Sequence, residues 1–279
     1  MTAKRRLLCF GMGYTARALA QCLTDDWMVT GTKRNGSDAL RFGRDHKLSP
    51  SAFDGVTHIL ISIPPDELGD PVLDLHGGEI TALPGLQWLG YLSTTGVYGT
   101  RDGGWVDETS ELRPSSVRGQ RRVDAEAGWL ELRRSRGVPV YIFRLAGIYG
   151  PGRSAFDALR AGAARRIDSP GQLFSRVHVD DIASVLLASI ARPHPDAIYN
   201  VCDDEPAAQA DVVAYAASLL GIEPPPLVPL VEASLSPMAR SFYADNKRVS
   251  NALIKSELGV TLAFPNYRAG LAAILTAGG

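Results

Sequence analysis

The sequence is poor in the residues that would place it outside the ordinary globular class. It holds three cysteines, Cys9, Cys22 and Cys202, an odd number and too few for a disulfide framework. Cys9 lies in an apolar run and Cys22 in a helix-like stretch, so buried free thiols and a reducing, cytoplasmic setting are expected. No stretch approaches the roughly 18 apolar residues that a membrane span needs. The start, Met1-Thr2-Ala3-Lys4-Arg5-Arg6 and then Leu7-Leu8-Cys9-Phe10, has the order of a secretory leader. Its apolar run stops at Gly11, however, and no small-residue cleavage site follows. Charge of one sign is lacking too: 29 Lys plus Arg stand against 30 Asp plus Glu, a net charge of -1. That balance gives no field for a nucleic acid or a membrane surface, and neither is an expected partner. Cys202-Asp203-Asp204-Glu205 has no histidine at ligand spacing, so it reads as a solvated acidic loop and no metal is expected.

What is present is alternation. The 279 residues, 45% of them apolar, can bury one large core or a main domain with a smaller lobe. Strand-like runs at Leu7–Phe10, Met28–Thr30, His58–Ile63, Trp88–Ser93 and Val138–Leu145 alternate with helix-like segments at Thr15–Leu23 and Ser116–Arg136. Continuous apolar strands between helices predict an α/β fold, a doubly wound parallel sheet covered on both faces. Further helices are predicted near Asp181–Ala191, Asp211–Leu220 and Arg268–Thr276, where the second half changes character. The boundaries that follow are a Rossmann domain over residues 1–152, a mainly substrate-binding lobe over 153–279, and a return of segments near 176–201 to the first.

Gly11-Met12-Gly13-Tyr14-Thr15-Ala16 is a G-x-G-x-x-A loop between the first strand and the first helix. Gly11 permits the tight turn, Gly13 lets a pyrophosphate approach backbone, and Ala16 lets the helix pack on the strand. The N-terminus of that helix, opening at Tyr14 and Thr15, offers N–H groups to the anion. The second strand ends in Lys33-Arg34, where an NAD-binding fold usually carries a carboxylate for the ribose hydroxyls. Two cations there favour the 2′-phosphate of NADP(H) over NAD(H), the alternative being a solvated surface pair.

Ser93-Thr94-Thr95-Gly96-Val97-Tyr98-Gly99, Arg144-Leu145-Ala146-Gly147-Ile148-Tyr149-Gly150-Pro151-Gly152-Arg153, Val177-His178-Val179-Asp180-Asp181-Ile182 and Ile198-Tyr199-Asn200-Val201 follow the glycine loop in order. Together they resemble the extended short-chain dehydrogenase/reductases, the NAD-dependent epimerase/dehydratase family, over nearly the whole chain. The resemblance implies that Thr94 hydrogen-bonds the substrate oxygen, that Ile63 and Pro64 pass the cofactor, and that Ile148–Pro151 approach its nicotinamide end. It also implies a structural His178, with Asp180 or Asp181 capping the next helix.

The likeness breaks at catalysis. The family's base is a tyrosine with a lysine one helical turn later. Pro114, Gly119 and Glu126 align with the family pattern and put Arg118 and Arg122 at those two positions. Arginine has no lone pair to accept a proton with, so it cannot replace the tyrosine. This departure resembles the atypical members of the family, which keep the fold and cofactor loop without the pair. Arg118 and Arg122 would instead bind or polarise a substrate anion, with Asp107, Glu108 and Glu126 as candidate internal partners and Tyr98, Tyr149 or water as the proton source. One Tyr-x-x-x-Lys does occur, at Tyr243 and Lys247, but far past the sixth strand in the C-terminal lobe and not on the helix after the fifth, so a catalytic role is not expected of it. The expected function is an oxidoreductase or epimerase-like enzyme acting on a small polar or anionic molecule; the alternative is an NADP(H)-binding sensor without turnover. A homodimer is expected through Val123, Trp129, Leu130 and Leu132, residues that could equally pack on the protein's own sheet.

Overall fold

The computed structural model describes residues 4–35, 39–194 and 198–278; residues 1–3 of the leader-like start lie outside them. The chain begins β1 (Arg5–Phe10), α1 (Tyr14–Cys22), β2 (Trp27–Lys33), β3 (Leu40–Arg41), β4 (His58–Ile61), α2 (Pro71–Thr81) and β5 (Trp88–Thr94). It continues through β6 (Trp105–Val106), α3 (Val117–Arg136), β7 (Val140–Leu145), β8 (Gly147–Tyr149), α4 (Ala155–Arg160), β9 (Arg166–Asp168) and β10 (Arg176–His178). The remainder is α5 (Val179–Ala191), β11 (Ile198–Val201), α6 (Gln209–Leu219), β12 (Leu227–Pro229), α7 (Pro237–Tyr243), β13 (Arg248–Val249), α8 (Ala252–Ser256) and α9 (Tyr267–Thr276).

Seven strands form one sheet in the order β11-β7-β5-β4-β1-β2-β3, every pair parallel. Burial on both faces explains the unbroken apolar strands. In β1, Leu7 and Cys9 join the core on one side of the sheet, and Leu8 and Phe10 join the core on the other. Helices α1 and α5 pack together over the first face through Ala18, Val179 and Ala183. Helices α2 and α3 cover the second. There a Cβ on Gly128 would stand 2.5 Å from Leu73 Cδ2, so glycine sets how closely α3 approaches α2. Strand order reverses between β1 and β4, which is the switch point where such sheets bind ligands beyond the strand ends.

Helix α2 is absent from the sequence expectations because Gly77 and Gly78 weaken its propensity. Its start is nonetheless strongly marked. Asp70 accepts from the backbone N–H of Val72 (2.9 Å) and Leu73 (3.0 Å), and Pro71 follows at the first helical position.

The rest of the second half builds a smaller apolar cluster of Tyr149, Phe156, Val212, Ala216, Tyr267, Leu271 and Ile274 beside the sheet. Strand β11 returns to the sheet edge next to β7. Several local expectations change. Helix α5 is capped by His178, whose Nδ1 accepts from the Asp180 N–H at 3.3 Å, while Asp181 accepts from the N–H groups of Ala263 (2.8 Å) and Phe264 (3.0 Å). Cys22 is exposed rather than buried, whereas burial pushes the Cys9 thiol up to about 12. The acidic loop is not uniformly solvated. Asp204 and Glu205 pair with Lys255 and Arg268, but Asp203 is buried and burial raises its carboxyl to about 8. Trp129, Leu130 and Leu132 of α3 pack in the core between the sheet and its helices. Among the described residues no helix is long and apolar enough to cross a membrane, and no cluster of three metal-ligating side chains occurs.

Candidate active site

The glycine loop has the geometry its spacing demands. Gly11 stands at φ +92°, and a Cβ there would lie 2.6 Å from Ile63 Cγ2, so both the backbone and the neighbour require glycine. The Gly11 N–H donates to Thr32 Oγ1 and the Met12 N–H to Thr32 O, each at 2.9 Å, which fixes the turn against the end of β2. Gly13 serves a different purpose. It begins α1 at φ −86°, no side chain caps the helix, and a Cβ on it would meet only Ser62 Oγ at 3.9 Å. Space is left open in front of an uncapped helix N-terminus, as a bound pyrophosphate needs. Thr15 and Ala16 are buried against the sheet, and Lys33 and Arg34 follow Thr32 beside the loop.

From this loop a cleft of about 1160 Å³ runs between the strand ends and the lobe. That exceeds the usual size of a single small-molecule pocket, about 300–1,000 Å³. Gly13, Tyr14, Thr15, Pro64, Thr94, Arg118, Arg122 and Ile148 line it, so the structure gathers most of the sequence-chosen residues on one surface. Gly11, Ala16, Ile63, Lys33 and Arg34 lie outside the lining, Ala16 being buried against the sheet. The lining is electrostatically one-sided. It holds Arg118, Arg121, Arg122, Arg153, Arg165, Arg176 and Lys247, and one carboxylate, Asp245. On a chain of net charge -1 this is strong segregation.

Thr94 ends β5 with its Oγ1 accepting from the Gly96 N–H at 3.1 Å, which leaves the hydroxyl proton for a group in the cleft. The preceding Ser93 points the other way and donates to buried Glu126. Arg122 donates to Leu92 O at 2.5 Å and to Tyr91 Oη at 3.1 Å, bracing α3 on β5 while it lines the cleft. Arg118 reaches across the mouth, its guanidinium 5.5 Å from the Phe242 ring. None of the carboxylates proposed as partners pairs with either arginine. Glu126 forms a buried pair with Arg144 at 2.8 Å, Glu108 accepts from the Asn200 N–H at 2.7 Å, and Asp107 is held by Thr109 and Ser110.

Tyr98 is withdrawn as a proton source. It is fully buried, donates to Asn200 Oδ1 at 2.8 Å and accepts from Arg144 at 2.9 Å. Tyr149 does line the cleft, with its hydroxyl directed at Asn266 O, 3.4 Å away. Tyr14 carries more than a place in the motif. Its hydroxyl donates to Pro151 O at 2.9 Å and latches the loop after β8 over the start of α1.

The lobe supplies Phe174, Arg176 and Phe242, which the sequence did not single out, and also Tyr243 and Lys247, the pair it set aside. The Tyr-x-x-x-Lys pattern was visible, yet its distance from the strand ends in sequence hid its position in space. Ser115 donates to Asp245, joining the entry of α3 to this lobe segment. Gln172 donates to Asp245 O at 2.7 Å and secures it from below.

No family model matches the chain. A solved, functionally unknown conserved protein from Silicibacter pomeroyi is 51% identical, covers 99% of both chains and superposes with a TM-score of 0.90. An NAD-dependent epimerase/dehydratase-like protein from Methylobacillus flagellatus is 26% identical, again over 99% of both, with a TM-score of 0.74. The chain's structural neighbours are thus NAD-dependent epimerase/dehydratase-like proteins, whose Rossmann-type fold it shares. Protein YeeZ of Escherichia coli is also similar, 26% identical over 94% of this chain and 97% of YeeZ. The human epimerase family protein SDR39U1, solved with NADPH, is 19% identical with a TM-score of 0.77 and shares the fold. Helix α3, from Val117 to Arg136, contains no tyrosine and no lysine.

Proposed function

We propose that the protein binds NADP(H) along this cleft and acts as an oxidoreductase or epimerase-like enzyme on a small polar or anionic substrate. The observation that carries the proposal is the uncapped N-terminus of α1, left open at Gly13 and facing a lining of seven cations and one carboxylate. Gly13, Tyr14 and Thr15 would hold the pyrophosphate, Lys33 and Arg34 a 2′-phosphate, and Pro64 and Ile148 the nicotinamide half. The bound cofactor supplies hydride exchange. Thr94 is suited to donate its free hydroxyl proton to a substrate oxygen, and Arg118 to add positive charge beside it. With no tyrosine on α3, proton exchange falls to water or to the cleft phenols Tyr149 and Tyr243.

A sensor without turnover is the second reading, favoured by the engagement of Arg122 with Leu92 O and by the absence of a tyrosine on α3. Titrating NADPH and NADH by calorimetry, then following NADPH absorbance with a panel of small carbonyl compounds, tests both. Cofactor binding with substrate-dependent oxidation supports the enzyme. Binding without oxidation of NADPH on any compound supports the sensor, and no binding of either cofactor defeats both.

A further inference from the structure

The far end of the cleft, formed by the lobe, contains a buried cation, Lys247, that pairs with Asp245 yet keeps donors to spare. The side chain of Lys247 is only 10% exposed, and its one hydrogen bond is to Asp245 Oδ2 at 3.4 Å. The other oxygen of Asp245 is taken by Ser115. An ammonium has three donors, so two remain without a partner among the described residues, on a nine-tenths buried side chain that lines the cleft. Arg176, 8% exposed, lies in the same end. It donates to Phe174 O (2.8 Å), Ala207 O (2.8 Å) and Gln209 Oε1 (2.9 Å), all of them neutral acceptors. No carboxylate among the described residues forms an ion pair with it, although the charge of buried Asp203 acts on it from farther away. Buried ammonium donors left without partners are costly, and an incoming anion that takes them up offsets that cost.

Aromatic and apolar side chains stand beside these cations. Phe174 meets the Tyr243 ring edge-on at 5.3 Å, and Tyr267, Val212 and Leu271 also line the cleft, together with the polar Ser175, Gln209 and Ser241. The rings offer a face to a flat apolar body.

We infer that the lobe end of the cleft recognises a small carboxylate with an aromatic or aliphatic body, its head on the free donors of Lys247 and its body against Phe174, Tyr243 and Tyr267. Arg176 sets the positive field behind the head. This assignment rests on the reading of the cleft as the substrate site and names the substrate class for it.

Phenylacetate, phenylacetamide and inorganic phosphate are suitable probes, titrated by calorimetry into the full-length protein. Phenylacetate is expected to bind about tenfold more tightly than the neutral amide, the size of one charge-assisted hydrogen bond, and more tightly than phosphate. Lys247→Met should lose about that factor for phenylacetate, and Lys247→Arg should restore most of it while a thermal melt reports folding of both variants. Equal affinity for acid and amide, tighter phosphate binding, no phenylacetate binding, or a folded Met variant that binds like wild type each overturns the inference. NADPH titrated into the wild type in parallel reads the cofactor site separately. Phenylacetate binding as expected without NADPH binding would defeat the proposed function and leave this assignment standing.

Discussion

The two ends of the cleft were built by different kinds of information. At the glycine-loop end, six consecutive residues create the site, and local geometry calls for its glycines: Gly11 by its positive φ and by Ile63, Gly13 by the space it leaves. At the lobe end, Arg176, the Tyr243–Lys247 segment and Tyr267 come from separate stretches of the chain and meet only in the fold, where α9 packs on β10 and α6. The first kind of site is written as a spacing and survives without knowledge of the fold. The second exists only in three dimensions, so the same Tyr-x-x-x-Lys spacing carried no usable signal until the lobe was placed.

The comparison is tested most severely at Gly13. Gly13→Val fills the space before the α1 N-terminus, yet a Cβ at this position meets nothing closer than 3.9 Å, so the fold should survive. Cofactor affinity is expected to fall by about 100-fold or more, roughly 3 kcal/mol. Calorimetric titration of a variant with a native circular dichroism spectrum checks this. Unchanged affinity would show that the backbone-encoded end is not the cofactor cradle.

A second test concerns the lobe side and is one of stability. Asp203 is buried, neither carboxylate oxygen has a hydrogen-bond partner, and burial lifts its carboxyl to about 8. An unfolded chain releases this proton near pH 4, about the ordinary carboxylate value. Between the two values the folded state binds more protons than the unfolded state, so its stability falls as pH rises from about 4 to 8. Asp203→Asn should therefore stabilise the fold at pH 8 by on the order of 2 kcal/mol, read as a raised melting temperature, with the gain vanishing near pH 4. A gain that is the same at both pH values would point to packing rather than titration.

Residues argue the same lesson about legibility. The doubly wound sheet followed from unbroken apolar strands because both faces of β1 are buried, and Ser116 and Gly137 mark the ends of α3 as their residue types suggest. Helix α2 was missed since two glycines hide its pattern, though its Asp70-Pro71 start was available as a signal. Tyr98 and Asp203 were misjudged because residue type alone does not say whether a polar group faces a cleft, solvent or the core. Tyr98 belongs to the Arg144–Glu126 network, and Asp203 lies under the lobe.

The next test in size addresses cofactor choice. Lys33 ends β2 immediately after Thr32, which anchors the glycine loop, and exposed Arg34 follows. Lys33→Ala with Arg34→Ala should weaken NADPH about tenfold and leave NADH nearly unchanged, and added salt should shrink the wild-type preference. A double variant that still prefers NADPH by the same factor would move phosphate recognition elsewhere in the cleft.

The smallest expected effect sits where the two ends are joined. The Tyr14 hydroxyl donates to Pro151 O at 2.9 Å, so the first turn of α1 holds the loop that leads from β8 toward the lobe. Gly150 makes this contact feasible: a Cβ on it would lie 2.4 Å from the same hydroxyl. Burial raises the Tyr14 phenol above its ordinary value, so it stays a donor throughout the neutral range. Tyr14→Phe keeps the ring and removes one hydrogen bond, which is worth about 1 kcal/mol, and the expected result is a three- to tenfold loss of NADPH affinity with little change in melting temperature. If the bond only tethers the loop, affinity will be unchanged and loop amide exchange will quicken. If it aligns Ile148 and Pro151 with the cofactor, affinity and exchange will change together. The second outcome would mean that the backbone-encoded end of the cleft helps to set the geometry of the end that only the fold creates.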